Sequence, residues 1–216
     1  VTERLADYED TLRATAAFAR STPGLTRAQW HHYATALALR ETLPGVAALG
    51  FSPRVDTRAL AAHVDALQRD GLPRYAVWPA SRRSEHYPIA YLEPESDVTP
   101  RLLGFDLATS DGLRTDLERV RDTGTPLLLS AVPLRRSSRD HDAAALALVV
   151  PVYAPGLPIA TPHQRRAALR GFVYAPLRLA EFLARAVDEE TVAFAVHAGT
   201  ADGPKLHRHG AASVSP

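Results

Sequence analysis

Three groups of residues in this chain carry side chains that could do chemistry. Asp140-His141-Asp142 sets an imidazole between two carboxylates, the makings of a metal site or of part of a nucleophile–base–acid relay. His207 and His209 alternate, so on a strand they would share a face and could hold one metal ion. His31 and His32 are adjacent and point to different sides of any helix that carries them. The first group falls in a polar stretch that reads as a hairpin turn. The second has no carboxylate or cysteine beside it, and the third reads as surface histidines. The sequence contains no GxSxG, no glycine-rich phosphate loop, no HExxH and no CxxC. The expectation is a protein that is not an enzyme and holds no metal or cofactor, with a small hydrolase built on the Asp140–Asp142 turn as a minor alternative.

The remaining candidates would line a pocket rather than break a bond. Apolar runs mark strands at 87–92, 126–134, 143–153 and 168–175. A helix presenting Leu113, Leu117 and Val120 on one face lies between the first two. A helix laid over an antiparallel sheet encloses a concave, mostly apolar space, the usual form of a small-molecule site. Its expected lining is Leu113 and Leu117, with Tyr91, Asp106, Ser130, Arg135 and Tyr174 as polar groups able to orient a ligand. Each also has a plain structural role. Asp106 can cap the turn after Gly104, Arg135 can be a solvated turn residue, and the leucines are core in almost any fold.

The elements that must position these residues follow in order. Residues 1–20 read as a helix with Val1, Leu5, Tyr8 and Leu12 on one stripe, which either packs on its own domain or pairs two copies into a homodimer. Thr26 and Gln29 form a capping box, with Leu25 stapled onto Trp30, for a helix reaching toward Pro44-Gly45. A strand at 46–55 leads to a helix capped by Asp56 or Thr57, with Leu60, Val64 and Leu67 on one face. Residues 75–78 read as a short strand. Ser110 or Asp111 opens the pocket helix and Gly124 closes it. Segment 154–166, with three prolines, reads as a surface loop. Pro176 reads as the first-turn residue of a helix over 177–187. Strands at 191–198 and near Leu206 complete an α+β pattern: helices first, then an antiparallel sheet.

Composition narrows the classes further. The 216 residues are 46% apolar and 23% charged, ordinary for a globular protein with one large or two small cores. The formal charge is +1, so nothing favours nucleic acid as a partner. Cysteine is absent, which fits an oxidising compartment. No stretch approaches the about 18 apolar residues of a membrane span, and none reads as a signal peptide. The chain begins at Val1 inside a helical pattern, which reads as a piece of a longer protein.

Five phrases recur in one order: YPIAYLEPES, LLGFDLATSDGLRTDLERVRDTG, TPLLLSAVPL, LALVVPVYAPG and ALRGFVYAPLRLAEFL. Together they resemble the CHASE domain, the extracytoplasmic sensory module of bacterial histidine kinases and nucleotide cyclases and of plant cytokinin receptors. The resemblance runs from about Leu43 to about His197 and is sharpest at Gly104-Phe105-Asp106, Asp122-Thr123-Gly124 and Pro151-Val152-Tyr153.

It implies a double PAS-like architecture. Residues 1–42 would be a helical stalk and 43–176 a membrane-distal ligand-binding module. Residues 177–216 would be a linker helix and a small membrane-proximal module. It implies flanking transmembrane helices, a periplasmic or extracellular location, a small-molecule ligand, and an output kinase or cyclase. Plant members place a hydrogen-bonding aspartate where this chain has Leu113 and a threonine where it has Val149. Both positions are hydrocarbon here, which disfavours a purine, whose donors would be buried unpaired. The alternative is a structural or protein-interaction module whose cavity is filled by its own side chains.

Overall fold

The computed structural model describes residues 2–96, 99–130, 145–178, 194–197 and 205–209. Helix α1 (Thr2–Ser21) ends at the Thr22–Gly24 break, and Gly24 takes a left-handed φ of 67°. Helix α2 (Arg27–Ala36) starts on the expected capping box: Thr26 accepts from the Gln29 backbone and Gln29 reaches back to the Thr26 backbone. It stops earlier than the pattern suggested. Ala38 adopts φ 47° and ψ 52°, and a single further turn, α3 (Leu39–Thr42), follows.

Strand β1 (Leu49–Pro53) is shorter than the run at 46–55. Beyond Arg54 the chain turns into β2 (Val55–Asp56), which pairs with β3 (Glu85–His86) in a separate two-stranded ribbon. Asp56 caps a 3₁₀ turn at Thr57–Ala59 that runs into α4 (Leu60–Arg69). Residues 75–78 form no strand. They make one bridge, Trp78 to Phe105, because Gly104 O accepts from Trp78 N and Trp78 O from Asp106 N.

The expected strand at 87–92 is likewise broken. Ile89 donates to Phe105 O while Ala90 donates to Phe51 O, so the chain changes partners midway, and only β4 (Tyr91–Glu93) joins the main sheet. A short α5 (Thr99–Leu102) precedes α6 (Asp111–Thr123). Ser110 caps α6, and Gly124, at φ 72°, closes it as read from the sequence.

Strands β5 (Leu127–Ser130), β6 (Ala145–Tyr153) and β7 (Leu169–Arg178) complete a five-stranded antiparallel sheet of order β4-β1-β7-β6-β5. Two readings are corrected here. Segment 154–166 is not all loop: Thr161 and Gln164 form a second capping box, with Pro162 in the first turn, and open α7 (Pro162–Ala168). Pro176 does not start a helix. It sits inside β7 opposite Ala147, where its carbonyl accepts from Ala47 N and its missing N–H breaks no pairing of the sheet. The rest of the helix expected at 177–187 lies outside the described residues. Strands β8 (Phe194–His197) and β9 (Lys205–His209) pair as an antiparallel hairpin.

The sheet is buried on both faces, which explains its nearly continuous apolar strands. One face packs against α1 and α2. There Tyr8, Leu12, Trp30, Leu49, Tyr91, Leu148, Val173 and Ala175 form one cluster. Trp30 is wholly buried, with its ring 5.8 Å from Phe51 and 6.3 Å from Tyr91, and its indole N–H donates to Leu49 O. The other face carries α6. The stripe expected on the N-terminal helix therefore lies against the chain's own sheet at Tyr8 and Leu12, and the Tyr8 hydroxyl donates to Pro44 O.

Candidate ligand-binding site

Helix α6 places Leu113, Leu117 and Val120 on the sheet, as their spacing demands. They meet Leu129 of β5, Val149 of β6, and Phe172 and Tyr174 of β7 in the second core cluster. Leu113 is 5% exposed, Leu117 and Val149 1%, and Tyr174 0%.

Tyr174 lies directly over β1. A methyl group on Gly50 would sit 2.2 Å from its Cζ and 2.5 Å from its hydroxyl, so only glycine lets the ring rest on the strand. The Tyr174 hydroxyl is fully buried and has no hydrogen-bond partner among the described residues. Burial pushes its ionisation well above the ordinary phenol value, so it is a neutral, unsatisfied polar group in an apolar setting.

Asp106 is as deeply buried but fully engaged. Its Oδ1 accepts from Tyr87 N and Ala108 N, each at 3.0 Å. Its Oδ2 accepts from Arg83 Nη2 at 2.6 Å and lies 2.8 Å from His86 Nδ1. Burial alone would push this carboxyl up. The donors from Tyr87, Arg83, His86 and Ala108 outweigh that and hold it below the usual carboxylate value. The imidazole of His86 reaches on to the Thr57 hydroxyl at 3.1 Å, so one carboxylate ties together β3, the 81–84 loop and the turn after α5. Asp106 caps that turn, the plain role considered from the sequence. Arg83 and His86 were not singled out there, since nothing local marks residues 20 or more positions from their partner.

Tyr91 falls on the opposite face, in the cluster under α1 and α2, with its hydroxyl 2.8 Å from Leu25 O and 2.9 Å from Asp70 Oδ2. The gap beside it is about 10 Å³, the least that holds a water. The expected lining therefore divides between the faces: Asp106, Leu113, Leu117, Val149 and Tyr174 on the α6 side, and Tyr91 away from them. Ser130 occupies a β5 position opposite Leu146. Arg135 and the Asp140–Asp142 turn lie outside the described residues. His207 and His209 are placed as strand positions only, and the His31 imidazole contacts Glu93. Among the described residues, no group of three or more His, Asp or Glu side chains gathers to hold a metal.

The three sharpest sequence phrases turn out to be joints. Gly104, at φ 79°, lies so close to Ala76 that a Cβ would meet its carbonyl oxygen at 1.8 Å. Phe105 packs edge-on to Trp78, and Asp106 is the buried hub. Asp122 binds Arg121 and Arg166, and its carbonyl accepts from Arg165, tying α6 to α7. Tyr153, at the bulge that ends β6, donates to Arg121 O and satisfies a carbonyl in the last turn of α6.

A concavity of about 250 Å³ opens between α2–α3 and the ends of β1 and β4. Its wall includes His31, Ala34, Ala38, Leu39, Val46, Ala47 and Glu93. Glu41 and Arg178 line it as well, and sequence reading missed it, because its buried carboxylate, Glu93, sits in what reads as a strand end before Pro94.

The family model described as CHASE domain matches residues 23–207, beginning earlier and ending later than the phrases suggested. None of the curated proteins matches the chain.

Proposed function

The chain belongs to the CHASE domain family, a sensory domain of signalling receptors, and from that premise we propose that it binds a small molecule between α6 and the sheet. The single observation carrying this reading is the Tyr174 hydroxyl, buried among hydrocarbon without a partner among the described residues. A buried donor left unpaired costs about 1–3 kcal/mol, and a ligand presenting one acceptor there would remove that cost. Leu113 and Val149 belong to the same cluster, so the ligand is mostly apolar with a single polar contact at Tyr174, and not a purine.

Binding would favour one packing of α6 on the sheet, and the helices on the other face would carry that preference onward. A double PAS-like architecture, a periplasmic setting between two membrane helices and a kinase or cyclase output belong to the same proposal. No described helix is long and apolar enough to cross a membrane. Pairing of two copies along α1 belongs to it as well. With Tyr8 and Leu12 in the chain's own core, the available stripe is the exposed one carrying Ala6, Asp10, Arg13 and Ala17.

One observation favours a second reading, a module that binds no small molecule: Leu113, Leu117, Val149 and Tyr174 are all packed at 5% exposure or less. A thermal-shift screen of amino acids, organic acids, purines and fatty acids separates the two. The sensor reading expects at least one stabiliser whose effect shrinks in Tyr174→Phe. Silence across the panel, or an equal shift in the variant, supports the packed module.

A further inference from the structure

The concavity between α2–α3 and the β1–β4 edge lies apart from the α6 site and has the features of a binding site in its own right. At about 250 Å³ it is just below the range of about 300–1,000 Å³ typical of ligand pockets, so its occupant is small. The volume exists because the facing side chains are short: Ala34 and Ala38 from the helical side meet Ala47 from the strand side. Leu39 and Val46 complete an apolar floor.

Set into this wall is one nearly buried carboxylate, Glu93, at 6% exposure. Its Oε2 accepts from Glu95 N at 3.2 Å and its Oε1 lies 3.0 Å from His31 Nδ1, whose side chain is 63% exposed. A carboxylate offers about four acceptor positions, so these contacts leave capacity for another donor. In the same wall, Ala38 is the one non-glycine residue among the described ones with a positive φ. Backbone held in a sparsely populated region collects at ligand clamps and switch points, and this one joins the two helical segments that roof the space.

We infer that this concavity binds a small organic cation, an aliphatic amine whose ammonium group pairs with Glu93 while its short hydrocarbon body lies on Leu39, Val46 and the facing alanines. An ammonium supplies three donors and a charge-assisted contact that the uncharged or anionic analogue of the same length cannot. Glu41 and Arg178, the last residue of β7, also line the wall, so the charged groups around the space are two carboxylates and one guanidinium besides the His31 imidazole, and occupancy would be felt where β7 ends. The inference does not depend on a ligand under α6.

The test is a titration of the ¹⁵N-labelled protein with n-butylamine, with n-butanol and butyrate as controls, read from backbone amide shifts. The amine is expected to move the Ala34, Ala38 and Ala47 amides saturably, and neither control should. Glu93→Gln is expected to weaken it at least about tenfold, while Tyr174→Phe leaves it unchanged. Equal binding of n-butanol, unchanged affinity in Glu93→Gln, or shifts confined to other residues would overturn the assignment. Should Glu93→Gln fail to fold, Ala47→Leu fills the space with the carboxylate intact and must abolish the shifts. Saturable binding that survives it would also overturn the assignment.

Discussion

Removing the Tyr174 hydroxyl should make the unliganded protein more stable, the reverse of what losing a buried polar atom usually does. The ring fills the space over Gly50, and phenylalanine keeps it there; only the unpaired oxygen is lost. An unsatisfied buried hydroxyl costs about 1–3 kcal/mol. The packing contacts of one oxygen are worth a few tenths of a kcal/mol, at about 0.1–0.2 per atom pair. The net expectation for Tyr174→Phe is a gain of about 1 kcal/mol, equivalent to roughly 2–4 °C in Tm for a chain of this size.

Urea denaturation followed by circular dichroism measures it, provided the m-values agree. Tyr91→Phe is the internal control: the same atom is deleted on the other face, where it bonds Leu25 O and Asp70, and a loss of about 1–2 kcal/mol is expected. Opposite signs for the two variants support the reasoning. A loss of 1 kcal/mol or more in Tyr174→Phe would refute it, since the hydroxyl would then have a partner in solution.

Gly50→Ala drives a Cβ to 2.2 Å from Tyr174 Cζ, so we expect a loss of at least about 2 kcal/mol, partly restored by adding Tyr174→Leu; chemical denaturation of the cycle measures the coupling. Asp106→Asn leaves Arg83 and His86 facing a neutral group and should cost about 3–5 kcal/mol at neutral pH. The Asp106 carboxyl is held below its ordinary value, so its contribution is complete above about pH 4 and is lost as the pH falls through the folded-state value. Between pH 5 and pH 3 the parent should therefore lose more stability than Asp106→Asn, as followed by thermal melts across that range. Tyr153→Phe frees the Arg121 carbonyl and should cost about 1 kcal/mol, with amide exchange quickening in the last turn of α6 before the rest of the helix.

Helices α2 and α6 were legible because each carries its signals locally: a Thr26–Gln29 box in one, Ser110, a 4-3 apolar stripe and Gly124 in the other. Helix α7 carries the same signal in Thr161 and Gln164, but the surrounding prolines made the segment read as loop. Tyr91 shows a deeper limit. Alternation fixes which residues share a face, yet where both faces are buried it does not say which face a strand residue joins. The division of the site between Tyr91 and Tyr174 was therefore not readable. For Asp106 the turn-cap role was only the plain alternative to a ligand contact, and its ties to Arg83 and His86 depend on a ribbon formed from segments about 30 residues apart. The Glu93 concavity depends on what is small, and a run of alanines gives no sequence signal for a hollow.

The two tryptophans sit in unlike surroundings, and this gives the molecule a built-in optical readout. Trp30 is sealed between α2 and the sheet at 0% exposure, whereas Trp78 is 42% exposed in the loop that pairs with Phe105. Acrylamide should quench the red-shifted emission of Trp78 and leave a blue-shifted component from Trp30. With Trp78→Phe, the residual fluorescence reports on the α2–sheet contact alone, next to the strand that ends at Glu93. Steady-state emission can then follow that contact without an attached dye.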